Sequence, residues 1–196
     1  MPEKEGVIKF SYSLQGDRDD FSKDFELIYW RDLLWRHNLI GVDENGYGFG
    51  NVSVRLPKGF LITGSQTGHI PTLKPKHLVH IIDWDFQNNT VVARGQWKPS
   101  SESLTHAAAY ENPQVIAVVH SHNNLAWEYW KGNAPTTDPT VPYGTVEMAL
   151  EIKNILTKEQ LPVFIVMAGH YGGLLTIARS LNQAVSLMIQ KTTIKF

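Results

Sequence analysis

Residues 115–123 read VIAVVHSHN, five apolar residues followed by His120-Ser121-His122 and an asparagine. An apolar, β-branched run of this length reads as a buried strand. Because a strand repeats its side-chain direction every two residues, His120 and His122 leave its end from one face and aim at a common point. Two imidazoles so placed can chelate a divalent ion.

The neighbouring segments extend this into a layered α/β pattern. Before the run, ESLTHAAAYE at 102–111 reads as a helix. After it, TVEMALEIKNIL at 145–156 is a second helix, followed by the apolar runs FIVMA at 164–168 and LLTIA at 174–178. A last helix begins after Ser180, which stands with Gln183 at capping-box spacing. Toward the N-terminus lie four short β-rich pieces, NVSVRL (51–56), FLIT (60–63), LVHIID (78–83) and TVVARG (90–95), divided by Gly, Pro and Asn as hairpins are. From Ser22 to His37 the apolar Phe25, Leu27, Ile28, Trp30, Leu34 and Trp35 recur at helical spacing, with Gly41 beyond as a stop. The pattern predicts a single α/β domain over 21–196, preceded by a polar arm at 1–20.

The chain has 196 residues, 18 Lys+Arg against 19 Asp+Glu, eight histidines and no cysteine. A charge balance this even gives no bulk attraction for nucleic acid, and no apolar stretch approaches the about 20 residues of a membrane span. The opening MPEKEGVIKF contains no signal-like apolar run, from which a cytoplasmic address is expected. Without cysteine there is no disulfide, thiolate nucleophile or Cys-type zinc knuckle, so a transition-metal site must be built from His, Asp and Glu.

A third histidine, His170, ends FIVMAGH and is followed by the paired glycines Gly172 and Gly173. Three His ligands with one open position describe a catalytic rather than a structural zinc site. The plainer alternative is a chance His-x-His in a His-rich chain, with His170 merely ending a strand. His37, at a helix end, and His77 and His80, near a Pro-Lys turn, fit structural roles. Upstream, Ser100, Ser101 and Glu102 fall at a helix N-terminus, where amides and hydroxyls can bind an anion and a carboxylate can act as a base. Ser101 as a simple helix cap and Glu102 as a dipole partner remain open beside that. The turns GFGNVSVR and LITGSQTGH add Gly and hydroxyl groups that can cradle phosphate or merely close hairpins.

Taken in order, GNVSVR, LITGSQTG, PSSE, VVHSHN and GHYGGLL resemble the class II aldolase/adducin family, which holds fuculose-phosphate and rhamnulose-phosphate aldolases and ribulose-phosphate 4-epimerase. The resemblance spans about residues 22–190. It implies a three-layer α/β/α sandwich with a largely antiparallel central sheet, often assembled as a fourfold-symmetric homotetramer. It further implies zinc or another divalent metal on His120, His122 and His170, and Glu102 as the proton-transfer residue. The implied phosphate pocket comprises Asn51, Thr67, Gly68, Ser100 and Ser101. The expected activity is that of an aldolase-type lyase, cleaving a small phosphorylated ketose through a metal-stabilised enediolate. The alternatives on the same metal site are a sugar-phosphate epimerase, dehydratase or decarboxylase. An adducin-like binding module without catalysis is a further one.

The sequence departs from the family pattern in three places. The usual short Thr-Pro-Thr-Gly turn is here Thr63-Gly64-Ser65-Gln66-Thr67-Gly68. The stretch after His122 is shorter and more aromatic than its aldolase counterpart, leaving Tyr129 and Tyr143 as candidates for the tyrosine proton donor. The last helix is followed only by KTTIKF, so no catalytic contribution from a C-terminal tail is expected.

Overall fold

The computed structural model describes residues 6–193; residues 1–5 of the expected arm and 194–196 of the expected tail lie outside the described residues. Within the arm, Ser11–Leu14 forms an edge strand, β1, that pairs in parallel with β7 (Thr90–Arg94), and Phe10 is buried. Its serines face outward and its length is four residues, so the apolar periodicity that marks a core strand is missing.

Helix α1 (Lys23–Arg36) follows, then a two-residue hairpin of β2 (Gly41–Val42) and β3 (Gly48–Phe49). The four expected β pieces become β4 (Asn51–Arg55), β5 (Phe60–Thr63), β6 (Leu78–Asp85) and β7. Helix α2 (Ser103–Tyr110) leads into β8 (Ala117–His122), and α3 (Asn124–Trp130) starts at once behind the histidines. Helix α4 (Val146–Leu156), β9 (Val163–Val166), β10 (Gly173–Ala178) and α5 (Leu181–Thr192) complete the described chain. The α3 segment holds three aromatic residues, which mask its helical period. Its start is marked by Asn123, whose side chain accepts a hydrogen bond from the Ala126 amide at 2.9 Å.

Eight strands form one sheet in the order β1-β7-β6-β5-β4-β8-β10-β9, antiparallel at every pairing except β1 with β7. Both faces are covered. On one, Val118, Ile62, Ile81 and Ile177 meet Leu104 and Ala107 of α2 and Met148 and Ile152 of α4. On the other, Val52, Val54, Val119 and Leu174 meet Leu27 and Leu34 of α1 and Val185 and Met188 of α5. This is the expected α/β/α sandwich with a largely antiparallel sheet. No helix among the described residues is long and apolar enough to cross a membrane.

The strand parity fixes where function can sit. Val118 faces the α2 layer, so His120 and His122 continue that side beyond the end of the core. Asn51 pairs in register with His120, and the next pair on the same face is Ser53 with Val118. The outer edge of β9 is covered at Val166 by the loop before α4: Val166 donates its amide to the Pro135 carbonyl at 2.9 Å, and Thr137 donates to the Val166 carbonyl at 3.0 Å.

Candidate metal centre

The three expected histidines converge. Nε2 of His122 lies 3.2 Å from Nε2 of His120 and 2.6 Å from Nε2 of His170. Their nearest ring nitrogens all fall within 4.8 Å of one another. His120 and His170 are buried and His122 is half-buried. The imidazoles stand nearly perpendicular, at 75° to 79°, so three lone-pair directions meet from different sides.

This donor set fits a divalent cation. A tetrahedral ion about 2.0–2.1 Å from its nitrogens separates them by roughly 3.3 Å, close to the His120–His122 spacing. The His170–His122 pair is tighter, and facing nitrogen lone pairs at that distance repel unless a proton or cation lies between them. The Nδ1–H of His120 donates to the Leu174 carbonyl at 3.1 Å, which leaves Nε2 as the ligating nitrogen.

Local sequence explains the aim of each ring. His120 and His122 are fixed by β8, which is hydrogen-bonded on both sides by β4 and β10. His170 sits in the β9–β10 connection: its amide donates to Met167 at 3.0 Å and its carbonyl accepts from Gly173 at 2.8 Å. A side chain on Gly173 would run into the His170 imidazole, which accounts for glycine there. Thr137 Oγ1 accepts the Ala168 amide at 2.9 Å, bracing the same turn from outside.

A small polar cavity opens beside His120, lined by Asn51, Ser100, Ser101, Glu102, Thr67 and Gly68 among others. Glu102, 2% exposed, is the N-cap residue of α2. Ser101 does not cap that helix, contrary to its structural alternative. Ser100 organises the start instead, its carbonyl accepting from the Ser103 amide at 3.0 Å and from Ser103 Oγ at 2.7 Å. Asn51 is buried, and its Oδ1 has no hydrogen-bond partner among the described residues. Thr67 spends its hydroxyl proton on the Gly64 carbonyl at 2.9 Å. A wider cleft of about 600 Å³ adjoins the other side of the triad, lined by His122, Asn123, Asn124, Asp43 and Asn45. Phe49 walls both cavities, its ring 5.2 Å from that of His122.

The two tyrosine candidates part company. Tyr143 is buried and meets His170 edge-on, with ring centroids 4.3 Å apart. Tyr129 is 49% exposed on α3, against Trp130, and neither tyrosine lines either cavity.

A sequence profile of the class II aldolase and adducin N-terminal domain matches residues 41–193. The chain belongs to that family. No curated protein matches it in sequence. The aldolase/adducin fold is seen directly in solved structures. The l-fuculose-1-phosphate aldolase of Thermus thermophilus superposes with a TM-score of 0.68 at 20% identity, over 88% of this chain and 90% of that one. A sugar-phosphate aldolase of Thermotoga maritima gives 0.60 at 17% identity, over 87% and 91%. The N-terminal class II aldolase domain of a Thermoplasma acidophilum protein gives 0.60 at 17%, over 92% and 96%.

Sequence reasoning missed two supports of this aldolase-family site. Arg31 of α1, fully buried, donates to the Thr67 carbonyl at 2.7 Å and to the Ile70 carbonyl at 2.5 Å, holding the Thr67-Gly68 turn. Behind the polar cavity, Ser53 Oγ lies 2.7 Å from His106 Nδ1 and 2.7 Å from the Tyr110 hydroxyl. Burial drives the His106 pKa down to about 3, so the ring is neutral, and raises that of Tyr110. The spacing Glu102, His106, Tyr110 puts all three on one helical face, a signal legible in the sequence.

Proposed function

We propose that this protein is a metal-dependent aldolase-type lyase that cleaves a small phosphorylated ketose. The observation that carries the reading is the convergence of three imidazole Nε2 atoms beside a pocket holding a buried carboxylate, an amide and two serines. His120, His122 and His170 hold a divalent ion, zinc being the natural fit to an all-nitrogen set. When bound, that ion supplies Lewis-acid stabilisation of the enediolate formed as the carbon–carbon bond breaks.

The remaining chemistry belongs to the chain. Glu102 moves the proton at the carbon next to the carbonyl, from a position screened from bulk water. Asn51, Thr67, Gly68, Ser100 and Ser101 hold the phosphate away from the reacting bond, fixing the ketose by its far end. Tyr143, buried against His170, takes up the proton of the hydroxyl that becomes the carbonyl of the departing fragment, and returns it in the condensation direction; Tyr129 is too exposed for that role in one chain. The activities of the similar structures, fuculose-1-phosphate aldolase and sugar-phosphate aldolase, support the substrate class. A homotetramer in the cytoplasm completes the reading.

The test is a panel of ketose phosphates, each beside its unphosphorylated sugar, with products identified after incubation with metal-loaded protein. Retro-aldol cleavage yields two carbonyl fragments from one sugar phosphate. A single isomeric product indicates an epimerase, loss of water or carbon dioxide a dehydratase or decarboxylase, and no turnover with metal bound an adducin-like module.

A further inference from the structure

The polar cavity beside His120 is walled in part by the chain's own N-terminal segment. Gly6 lines it together with Gln66, Asn51, Ser101 and Glu102. Gly6 has φ +70°, and a side chain there would collide with the Gln66 side-chain amide, so the backbone itself lies against the mouth. Gln66 is held in turn, its Oε1 accepting the Gly48 amide at 2.7 Å. The segment is then tied to Tyr143 three times. The Val7 amide donates to the Tyr143 hydroxyl at 3.3 Å, Lys9 Nζ donates to the Tyr143 carbonyl at 2.8 Å, and the same ammonium sits 4.0 Å from the ring centroid.

With this segment in place the cavity has about 20 Å³, room for roughly one water. A phosphate with its four oxygens does not fit that space. Residues 6–9 carry no helix or strand, Val7 is 45% exposed, and regular pairing begins only at Ser11 after the buried Phe10. A short segment fastened by polar contacts beside a strand-anchored hinge opens at far lower cost than the sheet does.

We propose that residues 6–9 are a strap across the anion pocket that sets the size of group it admits, with Lys9 as its clasp on Tyr143. Closed, the strap excludes phosphate esters; opening about Phe10 admits them, so apparent affinity for phosphate is reduced by the fraction of molecules that are closed. The inference rests on the anion-pocket reading above and deepens it.

The experiment titrates the metal-loaded full chain with inorganic phosphate by calorimetry, beside Lys9→Met and a chain lacking residues 2–9. Lys9→Met removes a charge-assisted hydrogen bond from the closed state only, and is expected to bind phosphate about tenfold more tightly. The truncated chain gains at least as much, and Asn51→Ala in the truncated chain loses most of that gain. Equal affinity in all three chains overturns the strap while leaving the anion pocket standing. Weaker binding by Lys9→Met also overturns it, since Lys9 would then be lending charge to the pocket. A gain that survives Asn51→Ala overturns it too, because the phosphate then sits elsewhere. Absence of phosphate binding to every chain overturns the pocket and the strap together.

Discussion

Lowering the pH from 7.5 to 5 should destabilise the protein, most of all through His106. This ring is wholly buried behind the polar cavity, and burial holds its pKa at about 3 against about 6.5 in the unfolded chain. The sign follows from proton counting. The unfolded chain takes up the proton near pH 6.5 and the folded one refuses it until about pH 3, so stability is fully present above 6.5 and is lost as pH falls. At pH 5 the difference amounts to about 2 kcal/mol relative to pH 7.5, with a slope near 1.4 kcal/mol per pH unit. His77 and His80, whose pKa values are also lowered chiefly by burial, titrate in the same direction and must be subtracted. Comparison with His106→Gln does this, since the glutamine can still meet Ser53 but does not titrate. Urea unfolding of metal-stripped protein, followed by tryptophan fluorescence at both pH values, gives the two stabilities. The wild type should lose about 2 kcal/mol more than the variant on acidification. Equal losses would refute the claim that this histidine is buried neutral.

Three further outcomes follow from the site. Metal analysis of purified His122→Ala should show the divalent ion lost, because two imidazoles remain of three; full occupancy would remove His122 from the ligand set. Glu102→Gln should retain metal but slow exchange of the substrate's carbon-bound proton with solvent by about 10²-fold or more, and unchanged exchange by NMR would move the base elsewhere. Arg31→Met strands the buried Thr67 carbonyl and the half-buried Ile70 carbonyl, a loss of about 3 kcal/mol that appears as a fall in Tm of roughly 6–12 °C by calorimetry.

Much of this was legible in the sequence where one period dominates. The strand reading of 115–123 put His120 and His122 on one face, and β8 does so because its apolar residues alternate between two cores. The three-histidine cluster was reachable from motif order, although only the β9–β10 turn reveals how His170 comes back to meet the pair. Other parts carry no local signal. Strand β1 is polar and held by pairing rather than by burial of a stripe, so its serines and tyrosine read as an arm. Arg31 looks like any charged helix residue until the chain folds the 67–71 turn onto it. Tyr143 and Tyr129 are equivalent as letters; a distance of 136 residues between Val7 and Tyr143 had to be closed before one was buried and the other was not.

The loop that seals β9 has a consequence for how copies of the chain can meet. Pro135 and Thr137 occupy the hydrogen-bonding positions at Val166, and at the far side β1 ends the sheet with four mostly polar residues. Among the described residues, the covered end of β9 and the mostly polar β1 both disfavour addition of a foreign strand by sheet extension. Because Thr137 also grips the Ala168 amide, the residue that guards the sheet border and the turn that carries His170 are one mechanical unit. Loosening that border would expose a sticky edge and unseat a candidate ligand in the same motion.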